Sequence, residues 1–356
     1  MMFKIITHIL LHAIILVHFS SITVAQMKAD SHAPIGVMGD HMHKTGKFMT
    51  SYRYMYMDMG GLQNEGSNIT ADTIATSLSN RFSNINGQPP TLRVVPKKMD
   101  MNMHMFGAMY APTDWLTLMV MSNYTDKKMK LTTYKGGSGT TVRDTFTTQS
   151  NGWGDTKLTG LIHLFSTGNH KVHLSIGTIL PTGSTSEIDQ ILTPMGMRPT
   201  KRLPYAMQLG NGNYGILNGL TYTGRHQRLT WGGQYSGTEF LGKHNGYRKG
   251  QQHEATAWSS FAPADTLSIS ARLKYRHDSK IKGIDPLITL PTQAANPDYY
   301  GGDVITMLLG LNWVCQSGYF SGVRIGFEAG LPLMQELNGV RLEQNFNLMA
   351  GLQYAF

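Results

Sequence analysis

The sequence predicts an all-β fold, a transmembrane antiparallel β-barrel of about 12 strands with long extracellular loops and short periplasmic turns. Three observations predict it. The chain ends in Phe346-Asn347-Leu348-Met349-Ala350-Gly351-Leu352-Gln353-Tyr354-Ala355-Phe356, where Phe346, Leu348, Ala350, Leu352, Tyr354 and Phe356 fall at a strict spacing of two. A strand with one greasy face and a terminal aromatic suits the closing strand of an outer-membrane barrel. Other stretches alternate in the same way along the whole chain, and the segments joining them are short and long by turns. After the first 25 residues no segment approaches the ~18–20 uninterrupted apolar residues of a membrane helix. A chain that spans a bilayer without helices must close its sheet, because only closure pairs every backbone group in lipid.

Residues 1–25 read as an export signal. Lys4 supplies the positive start, Ile5 to Val17 an apolar stretch interrupted by His8 and His12, and Thr23-Val24-Ala25 a small-residue cleavage site. Residues 26–46 form a periplasmic His/Met-containing segment ahead of the barrel, which spans 47–356; folding of this segment or of loops into the bore as a plug is the alternative. Strands are expected near 47–59, 98–111, 114–134, 143–166, 170–181, 212–224, 228–240, 251–262, 265–278, 302–315, 318–331 and 344–356. Each is at least as long as the ~9–11 residues a tilted strand needs to cross a bilayer. Short turns fall at Ala111-Pro112-Thr113-Asp114, 166–170, 225–228, Pro263-Ala264-Asp265 and Gln316-Ser317-Gly318. Long loops fall near 60–97, 135–142, 182–211, 239–250, 279–301 and 332–343. Short periplasmic turns and long outer loops produce that alternation.

Several strands assign their own faces. Leu267, Ile269, Ala271, Leu273 and Tyr275 oppose Ser268, Ser270, Arg272, Lys274 and Arg276. Val323, Ile325, Phe327, Ala329 and Leu331 oppose Arg324 and Glu328, and Val172, Leu174, Ile176 and Leu180 oppose Lys171, His173 and Ser175. A charge facing lipid at mid-depth costs about 2–4 kcal/mol, so the charged side is the lumen. Arg53, Asp155, Lys157, His173, Arg272, Lys274, Arg276, Arg324 and Glu328 are therefore expected to line a solute path with a basic excess, which favours anionic or polar solutes. The alternative is that these charges pair across strands and fill a small bore. Trp115, Trp153, Trp231, Trp258 and Trp313 are candidates for interfacial belts.

Composition agrees. The mean hydropathy of −0.22 is what alternation of lipid-facing and lumen-facing residues averages to. The 39 glycines and 16 tyrosines suit tight turns and interfacial aromatics. Cys315 is alone and cannot staple the fold. The net charge of +9 comes without a basic run or aromatic-interleaved patch, so no nucleic acid partner is expected. The partners expected are outer-membrane lipids and a small-molecule solute.

Four segments carry a resemblance. Pro89-Pro90-Thr91-Leu92-Arg93-Val94-Val95-Pro96, Met109-Tyr110-Ala111-Pro112-Thr113-Asp114-Trp115-Leu116-Thr117, Leu180-Pro181-Thr182-Gly183-Ser184 and the ending Gln353-Tyr354-Ala355-Phe356 resemble the outer-membrane transporters named after the meta pathway of phenol degradation. The likeness runs from about Met38 onward and its motifs are turns and strands, not chemistry. It implies an outer-membrane β-barrel with a transport role and no particular substrate.

Methionine is the other conspicuous feature, with 23 residues. His41-Met42-His43, Met55-Tyr56-Met57-Asp58-Met59 and Met99-Asp100-Met101-Asn102-Met103-His104-Met105 stand out. Thioether and imidazole together suit Cu(I) or Ag(I), bound as a ligand rather than a cofactor; methionine as flexible apolar filler is the plainer reading. If Ala111 pairs with Asp114 across a tight turn, Asp100, Asn102, His104, Met119, Met121 and Asn123 face the lumen, and Met101, Met103 and Met105 face lipid. A bulge would reverse that. Met55, Met57 and Met59 share a face with Arg53, so the favoured metal ligands are His41, Met42, His43, Met55, Met57 and Met59. Histidines His163, His173, His253 and His277 could serve a barrel hydrolase, but no Gly-x-Ser-x-Gly elbow, His-Glu-x-x-His or phosphate loop occurs. The sequence therefore points to a non-enzymatic barrel passing or binding polar, anionic or aromatic solutes, with a soft-metal barrel as the alternative and a hydrolase third.

Overall fold

The computed structural model describes residues 28, 29 and 32–356; the expected signal and its cleavage site lie outside them. The barrel wall is built from β1 (Phe48–Asn64), β2 (Val94–Thr113), β3 (Leu116–Tyr134), β4 (Val142–Trp153), β5 (Thr156–Thr167), β6 (His170–Leu180), β7 (Gly215–His226), β8 (Leu229–Phe240), β9 (Gln252–Ala264), β10 (Leu267–Asp278), β11 (Gly302–Val314), β12 (Val323–Leu337) and β13 (Val340–Ala355). Each strand pairs antiparallel with the next along the chain, except that β4 and β5 both pair with β3 and not with each other, and β13 closes on β1 from Met49 opposite Ala355 to Asn64 opposite Val340. The result is a closed 12-strand barrel, with β4 and β5 sharing one place in the wall. The aromatic C-terminus completes the seam: the Phe356 N–H donates to the Phe48 carbonyl at 2.7 Å. No helix among the described residues is long and apolar enough to cross a membrane.

The expected strand 143–166 is cut in two. The outer half of β3 pairs with β4 and its inner half with β5. Between them, Gly154 lies so close to the Asn123 side chain that a Cβ would come within 2.5 Å of Nδ2. Asp155 then turns inward and accepts hydrogen bonds from the Gly183 and Asn211 N–H groups, at 3.0 and 2.8 Å. The Leu180–Ser184 motif is thus a loop anchor.

The outer connection between β12 and β13 is a two-residue turn at Asn338-Gly339, not the long loop expected over 332–343, because both strands run on to meet there. Gly339 has φ of +58°, a value that favours glycine. The remaining outer connections are long and fold into a cap. The helix α1 (Ala71–Ser77), whose N-cap Thr70 accepts from Thr73 N–H, packs with Leu92, Val95 and Tyr134. The strand pairs 188–190/200–202 and 247–248/282–283 bury Leu203, Tyr205, Met207, Tyr247 and Ile288 together.

Arg93 organises this cap. It is fully buried and donates to the carbonyls of Ala75, Lys135, Gly136, Ser138 and Gly139 at 2.8–3.1 Å. Its five donors in a fixed fork tie the loop at 135–139 to α1 through the Ala75 carbonyl, which also accepts from Thr91 Oγ1 at 2.8 Å. The Pro89–Pro96 motif therefore serves the outer loops.

The faces of β6, β10 and β12 are as expected, with Ile176, Ile269, Leu273, Ile325 and Phe327 outward and His173, Ser268, Arg272, Arg324 and Glu328 buried inward. The face of β2 is reversed. Tyr110 pairs with Leu118 and a register shift separates that pair from Thr113 opposite Leu116. Phe106 then lies opposite Ser122 instead of Met119, an offset of three residues. An odd offset exchanges the faces. Met101, Met103 and Met105 point into the lumen. Asp100, Asn102 and His104 point outward, where the hydroxyls of Tyr56, Tyr54 and Tyr52 meet them at 2.8, 2.6 and 2.7 Å. Trp258 is also corrected: it is buried inside against Ala33 and Val37 rather than in an interfacial belt.

Candidate functional site

The lumen is crossed by the segment that precedes β1. It enters at Ala29, whose N–H donates to the Asp265 carbonyl at 2.9 Å and whose carbonyl accepts from Ser268 Oγ at 3.1 Å. It turns at Pro34–Val37, where Val37 N–H reaches the Pro34 carbonyl at 2.9 Å. It leaves at Gly46, bonded to the Ala111 carbonyl at 2.8 Å. The expected periplasmic location therefore gives way over the described part of 26–46. The segment lies within the barrel as a plug, because the wall supplies partners for its backbone groups.

Four of the expected path residues are those partners. Arg53 Nε donates to the Ile35 carbonyl at 3.0 Å, and Arg324 donates to the Ala33 carbonyl and to Asn312 and Gln353. Glu328 accepts the Gly36 N–H at 3.1 Å while pairing with Arg272 through two bonds of 2.7 Å. His173 Nε2 lies 2.8 Å from the Gly39 carbonyl, and Gln234, absent from the sequence reading, donates to Met38 at 2.9 Å. Gly36 sits directly on the Arg272–Glu328 pair, so a Cβ there would collide with both side chains. Gly326 and Gly351 leave the space that Ile35 fills.

The other predicted path residues lie elsewhere. Asp155 is the loop anchor described above. Lys157, Lys274 and Arg276 face the bore away from the plug contacts. Lys157 is exposed, Lys274 Nζ lies 3.7 Å from Glu254, and Arg276 Nε lies 2.9 Å from Asp278. Lys274 and Arg276 are thus ion-paired.

A wall of thioethers lies across the barrel from Lys274 and Arg276 and adjoins Lys157, which pairs across strands with Met121. Register and burial put Met49, Met55, Met57 and Met59 of β1 on one face with Met99, Met101, Met103, Met105 and Met109 of β2. Met119, Met121 and Met129 of β3 and Met349 of β13 continue it. Three packed groups occur along the bore: Met49, Met109 and Met119 with Met42 of the plug, Met55, Met103, Met105 and Met349 with Met38 and Ile35, and Met59, Met99 and Met129 with Met207 of the cap. The six expected metal ligands are therefore not one constellation. His41, Met42 and His43 are in the plug, Met55 is beside it, Met57 shares its face, and Met59 meets the cap.

The plug also brings together residues far apart in the sequence pattern. His32 and Asp40 are buried, and His41 joins them. His41 Nδ1 lies 2.8 Å from Asp40 Oδ1 and 3.2 Å from His32 Nδ1. Burial, and then the nearby His41, push the His32 imidazole down to about 3, and burial pushes His43 down to about 4. Burial acts to raise the Asp40 carboxyl, but His41 and His32 outweigh it and hold the group well below the usual carboxylate range. A cavity of about 10 Å³ on the Arg53 side of Asp40 is lined by Met49, Met109, Met119 and Met121. The sequence signal for this cluster was the repeat of His and Asp on either side of the Pro34–Val37 turn. A depression of about 460 Å³ lies on the outward face at Phe48, Tyr110, Leu118, Leu158 and Ile176, where lipid meets the barrel.

No family model and no curated relative matches the sequence. Solved structures do. An outer membrane channel from Pseudomonas putida F1 superimposes with a TM-score of 0.57 at 13% identity, covering 90% of this chain and all of that one (100%). The fold is that of an outer-membrane β-barrel. A FadL homologue from Pseudomonas aeruginosa matches at 10% identity and a TM-score of 0.40, over 87% of this chain and 90% of its own. The Pseudomonas putida toluene transporter TodX matches at 10% and 0.43, over 88% and 90%.

Proposed function

We propose that this chain is an outer-membrane barrel that passes small solutes through a lumen gated by its own N-terminal segment. The observation that supports this most is how the plug is held. Side chains of Arg53, Gln234, Arg324, Glu328 and His173 grip single backbone groups, and no barrel strand pairs with it along its length. A segment held by a few such bonds can leave without unzipping the wall. The lumen suits a solute with an apolar or aromatic body and a polar or anionic group, because methionines line β1, β2 and β3 while Lys157 borders them and Lys274 and Arg276 face them from β10. This is narrower than a path set by basic charge alone, since Arg53, Arg272 and Arg324 are occupied with the plug. The test is single-channel conductance of the refolded mature chain in planar bilayers, beside Glu328→Gln, which weakens the hold on Gly36. Brief openings in the parent and longer ones in the variant are expected. Folded barrels of both that stay silent in every salt would remove the channel reading.

A second reading is favoured by the thioether wall. Thioethers select soft monovalent cations, and methionines run along the bore from the cap at Met207 to the plug at Met42. Cu(I) or Ag(I) is then the solute, and either ion added to the open channel would slow the current.

A further inference from the structure

The His32, Asp40 and His41 cluster has more converging acceptors than protons can satisfy. A neutral imidazole nitrogen has one in-plane direction, filled either by a proton or by a lone pair. His41 Nδ1 faces both Asp40 Oδ1 at 2.8 Å and His32 Nδ1 at 3.2 Å, while His32 Nδ1 also lies 3.7 Å from Asp40 Oδ2. One proton on His41 Nδ1 serves the carboxylate and leaves the His32 nitrogen without a matched partner. A cation at the point of convergence serves all three atoms at once. The separations fit: two ligands each about 2.0–2.1 Å from a tetrahedral centre lie about 3.3 Å apart. The three ligand atoms lie within 4.8 Å of one another.

A second observation points the same way. The Nε2 atoms of His41 and His43 are both buried and without a hydrogen-bond partner, and the two rings meet edge-on with centroids 4.8 Å apart. Buried imidazole nitrogens are normally satisfied, so this part of the plug is built for something other than its own hydrogen bonds. Asp40 is held in place for the task, since its Oδ2 accepts the Ala33 N–H at 2.9 Å.

We infer that His32, Asp40 and His41 form a site for one divalent transition cation, with Cu2+ the tightest-binding of the series. Two imidazoles and a carboxylate suit borderline metals, and affinity along the first row peaks at copper. The ion joins His32 to Asp40 and His41, so it closes the loop of the plug across the lumen. The site stands on its own ligand geometry and not on the transport reading.

The test is copper titration of the refolded mature chain in detergent, followed by electron paramagnetic resonance and calorimetry. One tight equivalent with nitrogen hyperfine structure is expected, weakened at least tenfold in His41→Gln and in His32→Gln. His253→Gln, on the outward face, should leave it unchanged. A copper signal that persists in the His32→Gln/His41→Gln chain overturns the site, as does a parent chain that binds no tight equivalent. A measurement on the unaltered chain guards against misfolding of the variants. Diethylpyrocarbonate should modify His32 and His41 more slowly when Zn2+ is present, and equal rates with and without Zn2+ overturn the site.

Discussion

The two halves of the lumen wall differ in what they leave to the plug. On β10 and β12 the inward residues at the plug include Arg272, Arg324 and Glu328, each committed to named backbone or charged partners. On β1, β2 and β3 methionines predominate among the inward residues and press on the plug through Met38, Met42 and Ile35 without directional bonds; Arg53 and Thr117 supply the polar contacts there. The polar half fixes where the plug sits. The methionine half fills space and adapts, because a flexible thioether side chain repacks at little cost. A barrel that must release its plug benefits from that division, since few bonds need to break and the rest of the contact can slide.

The largest effect that would break the comparison lies in the polar half. Glu328→Gln leaves Arg272 buried without its counter-charge, which costs about 3–5 kcal/mol. Denaturant midpoints of the refolded barrel should fall accordingly, while replacing Arg272 and Glu328 together by Met and Leu should recover most of the loss. If the single and double variants are equally stable, the pair is not what positions the plug. Next in size is Arg93→Met in the cap. It strips donors from carbonyls that are costly to bury unpaired, on the order of 3 kcal/mol in all. Limited proteolysis should cut the outer loops at 135–141 sooner, with the barrel itself intact.

The methionine half should respond quite differently. Replacing Met55, Met103, Met105 and Met349 by Leu conserves volume, so each change costs less than about 1.5 kcal/mol. Silver retention by the refolded chain should nonetheless drop if the thioethers contact a soft cation. Unchanged retention would leave these residues as packing alone.

Most of the wall was legible in the sequence because alternation depends only on residue order. Strand 265–278 shows its charged and apolar faces without any partner, and the structure keeps both. Strand 98–111 does not, since Met, Asn and His fit either side of a membrane strand, and its face depends on pairing with β3. A register shift at Tyr110–Thr113 decided it, and nothing in the turn sequence announced that shift. The size of the bore left room for a plug made by loops or the N-terminal segment, but how that segment sits was illegible for a related reason. Residues 32–46 have no period of their own, and their place is set by Arg53, Gln234, Arg324 and Glu328 from three separate strands. The His32–Asp40–His41 cluster needed the Pro34–Val37 turn to bring its ends together, so local spacing around His41-Met42-His43 captured only part of it.

The smallest effect sharpens the comparison within the charged residues themselves. Sequence reasoning grouped Arg272 with Lys274 and Arg276 as one basic lining, whereas the structure separates a buried, paired Arg272 from an exposed Lys157. Lys157→Glu changes a group open to the bore, so stability should move by no more than about 0.5 kcal/mol. The reversal potential in a salt gradient should shift toward cations, because field in a narrow bore is set by its accessible charges. Arg272→Glu should do the opposite on both counts. It places two carboxylates against Gly36 and expels the plug, and the resulting change is in how often the channel opens more than in which ion it prefers. A selectivity change from Arg272→Glu as large as that from Lys157→Glu would mean that the buried pair faces the permeating ion, and that the plug does not shield it.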